Sequence, residues 1–95
     1  MNSLAAIIGS ARVVVLSWVT CPYCVRAEKL LKQLTDEVKV YYVDKMPEGE
    51  ELRREVFREY HHETVPAIFI NKNFVGGCSD LEDLQRDGKL AELLK

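Results

Sequence analysis

The strongest constraint on the fold is a Cys-x-x-Cys pair, Cys21 and Cys24, at the point where one hydrophobic pattern gives way to another. The segment before the pair is apolar and rich in β-branched residues, which predicts a strand at Arg12–Trp18. After the pair, apolar residues recur at the spacing of one helix face: Ala27, Leu30, Leu31 and Leu34. This spacing predicts a helix from Pro22 to about Thr35. The two cysteines therefore lie where a strand ends and a helix begins.

A cysteine at the start of a helix is well placed for redox chemistry. The free N–H groups and the positive end of the helix dipole stabilise a thiolate there. Pro22 suits the first helical turn, because its missing N–H would have no partner in any case. Cys21 stands at the helix entrance and is predicted to be the nucleophile. Cys24 lies one turn further along, and we expect it to be the more shielded, resolving thiol.

The alternative for this pair is a structural zinc site. Zinc takes four protein ligands in such sites. Outside the pair, Cys78 and the adjacent His61 and His62 are the remaining candidates. Adjacent histidines rarely bind the same ion, so this shortage of ligands favours redox chemistry, and we expect no metal.

Length and composition narrow the class of protein. Ninety-five residues predict a single domain over residues 1–95, and 47% hydrophobic with 29% charged residues is ordinary for a globular protein. A net charge of −2 gives no indication of a nucleic-acid partner, and no apolar stretch approaches the ~20 residues that span a bilayer. Three cysteines are too few for a secreted disulfide scaffold, so we expect a reducing, cytoplasmic location. The apolar N-terminus lacks the basic region of a secretory signal and predicts a short helix from Ser3 to about Ser10.

The rest of the chain alternates between strand and helix patterns. The predicted elements are a strand at Val38–Val43, a helix from Glu50 to Tyr60, a hairpin of Pro66–Ile70 and Phe74–Gly76, and a C-terminal helix interrupted at Gly88. The first strand, helix and second strand form a βαβ unit with parallel strands. The sequence therefore predicts an α/β fold, a four-stranded mixed sheet with helices on both faces.

Two finer predictions concern the later helices. Leu52, Val56 and Phe57 are expected to face the core from the helix at Glu50–Tyr60. Ser79 is expected to cap the C-terminal helix, with Glu82 three residues later in the manner of a capping box.

Three separated segments resemble those of dithiol glutaredoxins: residues 20–24 (TCPYC), 64–70 (TVPAIFI) and 76–80 (GGCSD). Their order and spacing match that family along nearly the whole chain. The resemblance implies a thioredoxin fold and thiol–disulfide oxidoreduction, with glutathione or a related small thiol as electron source. It also implies a monomer whose substrates are protein disulfides, glutathionylated proteins and low-molecular-weight disulfides.

The same resemblance implies binding roles for several residues. Pro66 corresponds to the family's cis-proline, and the backbone of Val65 beside it would pair with a peptide substrate as a short antiparallel strand. Ser79 and Asp80 would receive the α-carboxylate and α-amine at the γ-glutamyl end of glutathione. The other residues expected at the thiol-binding site are Tyr23, Arg53, Thr64, Gly77 and Cys78, the last as a small filler.

Two positions depart from the family pattern. Trp18 stands where the family usually has a lysine, and Glu63 stands where relatives often have a basic residue. These two cations would face the glycyl carboxylate of glutathione, and Arg53 compensates for them in part. Their loss leads to the hypothesis that the preferred thiol is a glutathione–polyamine conjugate, whose glycine is amidated and whose tail is cationic. The alternative is neutral drift at an exposed rim.

A different class of function is also open. Some family members bind an iron–sulfur cluster between two subunits, through the first cysteine of the motif and bound thiols. Here that residue would be Cys21, and Pro22 disfavours the cluster by stiffening the turn.

Overall fold

A computed structural model describes residues 3–95 of the chain. The helices are α1 (Leu4–Ile8), α2 (Pro22–Leu34), α3 (Gly49–Tyr60), α4 (Cys78–Arg86) and α5 (Leu90–Leu93). The strands are β1 (Val13–Ser17), β2 (Val38–Tyr42), β3 (Ala67–Ile70) and β4 (Asn73–Gly76), and a 3-10 turn at Val43–Lys45 follows β2. Within this described range, no helix has the length and apolar character to cross a membrane.

The four strands form one mixed sheet in the order β2-β1-β3-β4. β1 pairs parallel to β2 and antiparallel to β3, and β3 pairs antiparallel to β4. Asn71 and Lys72 connect β3 to β4 with φ values of 50° and 69°, the left-handed conformations that a two-residue hairpin turn requires. The predicted βαβ unit followed by a hairpin is confirmed.

β1 is buried on both faces, and its side chains alternate between two cores. Val14 and Leu16 pack with residues of α1 and α3 on one side of the sheet. Val13 and Val15 pack with residues of α2, α4 and α5 on the other. This double burial explains why β1 is a continuous apolar run. Because β1 is an inner strand, its C-terminal end, and the start of α2 that follows it, lie near the middle of the sheet and not at an outer strand.

The prediction that Phe57 faces the core is wrong. Phe57 is 46% exposed, whereas Leu52 and Val56 are buried. The row that continues this stripe leads from Val56 to Tyr60, whose ring stacks on Phe74 at a centroid distance of 4.9 Å. Phe57 lies next to this row on the helix surface and points away from the core.

The predicted cap of the last long helix is also wrong. α4 begins at Cys78, and Gly77 is its N-cap. The N–H of Gly77 donates to Asp80 Oδ2 at 2.9 Å, which holds the chain at the helix start two residues earlier than Ser79. Ser79 therefore lies inside the first turn.

Candidate active site

Cys21 occupies the N-cap position of α2, directly before Pro22. Its Sγ accepts a hydrogen bond from the backbone N–H of Cys24 at 3.2 Å, and the side chain is half-buried. An N–H that points at the sulfur, together with the helix dipole, places partial positive charge next to Cys21 Sγ. The structure places Cys21 at the helix start, as predicted, with its side chain half-buried and not fully exposed.

Cys24 lies one turn inside α2 and is fully buried. Burial is the main cause that raises its pKa to about 12, and the neighbouring Cys21 thiol adds to the effect. The backbone N–H of Trp18 and the hydroxyl of Ser17 act in the opposite direction, but more weakly. Cys24 is therefore a thiol at neutral pH. The two cysteines of one motif have different environments because Cys21 precedes the helix and Cys24 lies within it, on its buried face.

One groove, the Gly77 groove, lies beside Cys21 and Cys24. It has a volume of about 460 Å³ and lies between the start of α4 and the segment before β3. Its lining residues are Tyr23, His62, Thr64, Val65, Pro66, Gly77, Cys78, Ser79, Asp80 and Glu82. The structure thus brings together most of the residues that the sequence assigned to the thiol-binding site.

Three features of the Gly77 groove bear on the predicted thiol-binding site. The Val65–Pro66 peptide bond is cis. Gly76 has a φ of 123°, which favours glycine, and a side chain there would meet the Asp80 carboxylate. Cys78 is buried, and its burial raises the pKa of its thiol, as does the nearby Glu82 carboxylate. Tyr23, in contrast, is 61% exposed, and the guanidinium of Arg26 lies 5.6 Å from its ring centre.

A second groove, the Trp18 groove, adjoins the first at Thr64 and Val65. Its volume is about 330 Å³, and it is lined by Trp18, Thr20, Cys21, Pro22, Arg53, Glu63, Thr64 and Val65. Trp18 and Glu63, the two residues that differ from the family pattern, therefore both lie in the groove that contains Cys21.

Arg53 connects the two departing residues. Its guanidinium lies 5.0 Å from the ring centre of Trp18 and donates to the backbone carbonyl of Glu63 at 3.3 Å. It also lies 3.9 Å from the carboxylate of Glu50. The sequence predicted Arg53 at this site. Its stacking on Trp18 was not predictable, because the two residues are 35 positions apart in the chain.

His62 is a site residue that the sequence analysis assigned only to a zinc alternative. Its Nε2 lies 3.1 Å from the carbonyl oxygen of Pro66 and 3.4 Å from Oγ1 of Thr64. Its ring packs edge-on against Phe74. Its position two residues before Thr-Val-Pro was the available signal. In residues 3–95, no group of three His, Cys, Asp or Glu side chains is placed to hold a metal ion.

Comparison with known proteins identifies the family. The glutaredoxin family model matches residues 13–75. Glutaredoxin-C2 of Arabidopsis thaliana is 38% identical over 99% of this chain and 85% of its own length.

Solved structures agree with the sequence matches. The dithiolic glutaredoxin 2-C-Grx1 of Trypanosoma brucei brucei is 64% identical, with a TM-score of 0.93 over 100% of this chain and 98% of that one. A buckwheat glutaredoxin–glutathione complex is 32% identical, with a TM-score of 0.89 over 93% of this chain and 80% of that one. The fold is the thioredoxin fold. The chain belongs to the glutaredoxin family and is a thiol–disulfide oxidoreductase.

Proposed function

We propose that Cys21 is the nucleophile of this oxidoreductase and that Cys24 resolves the mixed disulfides formed with protein substrates. The Cys21 thiolate attacks a substrate disulfide, forms a new S–S bond, and releases the other half as a thiolate. Cys24 then attacks Cys21 Sγ, forms the intramolecular disulfide and releases the reduced substrate. The observation that carries this proposal is the hydrogen bond that the Cys24 N–H donates to Cys21 Sγ at the half-buried start of α2.

We further propose that the oxidised pair is reduced by glutathione or a closely related thiol, which docks in the Gly77 groove. The amide groups at the start of α4 suit the α-carboxylate of a γ-glutamyl group. Asp80, oriented by its bond to Gly77, suits the α-amine. The backbone at Thr64 and Val65 lies between the two grooves and suits the peptide part of the ligand. A buckwheat relative with the same fold is described as a glutathione complex.

Two single variants test these roles. Cys21→Ser should abolish reduction of protein disulfides and of glutathionylated substrates alike, because both require the first attack. Cys24→Ser should abolish only the dithiol reaction, since a second small thiol can release the glutathionyl group. Equal damage to deglutathionylation by the two variants would overturn the assignment.

The preferred small thiol is proposed to be an amidated glutathione with a cationic tail, of the polyamine-conjugate type. Among the residues that line the Trp18 groove, Glu63 carries a negative charge and Arg53 a positive one. Arg53 already contacts Trp18, the Glu63 carbonyl and Glu50, so it is less available to a free glycyl carboxylate. A cationic tail would instead meet the Glu63 carboxylate and the face of the Trp18 ring opposite Arg53.

Turnover with glutathione and with a glutathione–polyamine conjugate, at equal thiol concentration, tests this preference. We expect the conjugate to be favoured by roughly two- to tenfold, the range of one exposed ion pair with a cation–π contact. Glu63→Lys should reverse the preference, whereas Glu59→Lys on the exposed side of α3 should leave it unchanged. Equal rates for the two thiols in the wild-type protein would end the proposal.

The iron–sulfur alternative has a direct test. A cluster shared by two chains through Cys21 would give a brown dimer with charge-transfer absorption after anaerobic purification. The proposed function predicts instead a colourless monomer with oxidoreductase activity on protein substrates.

We also infer a cytoplasmic location, because the reaction needs a pool of reduced thiol. Fractionation of the source cells with an antibody to the protein would test this; recovery in an oxidising compartment would contradict it.

A further inference from the structure

Cys24 has to lose a proton before it can attack, and its surroundings contain few routes for that proton. The side chain is fully buried beneath α2. The neighbours that act on the pKa of its thiol, besides burial, are the Cys21 thiol, the backbone N–H of Trp18 and the hydroxyl of Ser17. An N–H cannot accept a proton, and Cys21 is the atom under attack. Ser17 remains as the neighbour that can pass the proton on.

Ser17 is itself fully buried at the end of β1. Its Oγ donates to Oε2 of Glu28 at 3.1 Å. Glu28 lies on α2, one turn after Cys24, and is half-buried. The hydroxyl of Tyr42 on β2 donates to the other oxygen, Oε1, at 3.4 Å. The Glu28 carboxylate and, more weakly, Cys24 raise the pKa of that tyrosine, so it stays a donor.

We propose that Glu28 receives the proton of Cys24 through the Ser17 hydroxyl during the resolving step. This inference rests on the proposed role of Cys24. Glu28 does not touch the reacting sulfurs, so it is a positioning residue that acts through Ser17.

The step balances in atoms and charge. The Cys24 S–H proton moves to Ser17 Oγ while the Ser17 proton moves to Glu28 Oε2, which leaves a neutral carboxylic acid. The Cys24 thiolate attacks Cys21 Sγ, a bond forms between these two sulfurs, and the bond from Cys21 to the substrate sulfur breaks. The departing thiolate carries the electron pair and takes a proton from solvent. Glu28 later returns its proton to water.

The test is the rate of the resolving step after rapid mixing of the reduced protein with a glutathionylated protein. Glu28→Gln keeps the shape of the side chain but cannot accept the proton. We expect it to slow glutathionyl release by about 10²-fold at pH 7, the usual contribution of a placed base. Ser17→Ala should slow the step similarly, and the double variant should be no slower than the slower single, because both residues serve one route.

The pH profile separates this route from a purely electrostatic effect. In the Glu28→Gln variant the proton must leave to hydroxide, so the rate should rise about tenfold per pH unit between pH 7 and 9. The wild-type rate should rise much less over the same range. If Glu28 acted only by its charge, its removal would ease formation of the Cys24 thiolate and make the step faster.

Two controls keep the outcome specific. Glu59→Gln makes the same charge change on the exposed side of α3 and should leave the resolving step unchanged. In a Cys24→Ser background, Glu28→Gln should leave deglutathionylation by Cys21 unaffected. A wild-type rate and profile in Glu28→Gln would overturn the proton route while leaving the dithiol mechanism intact. Loss of deglutathionylation in the Cys24→Ser background would overturn it as well.

Discussion

At the scale of single residues, the proposed chemistry depends on two cysteines that lie one helical turn apart in different surroundings. Cys21 is half-buried and accepts a backbone N–H, whereas Cys24 is fully buried with a pKa raised to about 12. The sequence predicted this difference in surroundings because helix geometry alone puts the first cysteine outside the helix and the second inside. It could not predict Ser17 and Glu28 below Cys24, since their contact depends on how β1 packs against α2.

Alkylation at controlled pH tests the difference between the thiols. A raised pKa means that Cys24 and Cys78 remain protonated as pH rises through the neutral range and beyond. Iodoacetamide at pH 7 should therefore label Cys21 at least tenfold faster than either of the others. Peptide mass spectrometry of the partly labelled protein measures this. Equal labelling of Cys21 and Cys24 would contradict the burial on which the assignment depends.

Asp80 has a structural task and a proposed binding task, and two substitutions separate them. Asp80→Ala removes the acceptor of the Gly77 N–H and should lower the free energy of unfolding by about 1 kcal/mol. Asp80→Asn keeps an acceptor oxygen, so its stability should stay near the wild type. Both variants lack the negative charge and should raise the KM for the small thiol. An Asp80→Asn variant with unchanged KM would remove Asp80 from the thiol-binding site.

At the scale of secondary-structure elements, the ends of helices and strands with a clear hydrophobic period were predicted to within one or two residues. β1 is apolar because it is buried on both faces, and α2 begins at the proline where its first turn needs no N–H. Errors arose where a side-chain contact competes with the pattern. Asp80 fixes the start of α4 at Gly77, and the pairing of Tyr60 with Phe74 leaves Phe57 outside the core.

The buried face of α2 gives a prediction with a matched control. Leu31 is fully buried against the sheet, whereas Leu34, one turn later, is 39% exposed. Leu31→Ala should cost about 2–5 kcal/mol of unfolding free energy, because it leaves a cavity. Leu34→Ala should cost less than about 1 kcal/mol. Urea denaturation measures both, and similar costs would contradict the packing of α2.

At the scale of the whole molecule, the fold gathers residues that are distant in sequence around one edge of the sheet. The Gly77 groove and the Trp18 groove meet at Thr64 and Val65, beside Cys21. The family motifs predicted most of the lining residues. The contacts of Arg53 with Trp18 and of His62 with Pro66 were not predictable, because they join side chains from different elements.

Ionic strength tests the proposed thiol preference at this scale. The net charge of the chain is only −2, so long-range attraction for a cation is small and the preference should come from Glu63 at close range. The advantage of the cationic conjugate over glutathione should shrink between 0.01 M and 1 M salt, where the screening length falls from about 30 Å to about 3 Å. In Glu63→Gln, the advantage of the conjugate over glutathione should lack most of this salt dependence. A preference that is independent of salt would argue for contacts other than charge.

The most direct test of the account is to trap the first intermediate. The Cys24→Ser variant, incubated with glutathione disulfide and digested without reductant, should carry one glutathionyl group on the peptide that contains Cys21. Its formation should be lost in the Cys21→Ser, Cys24→Ser double variant. An adduct on Cys78, or none at all, would contradict the claim that the sulfur at the start of α2 begins the reaction.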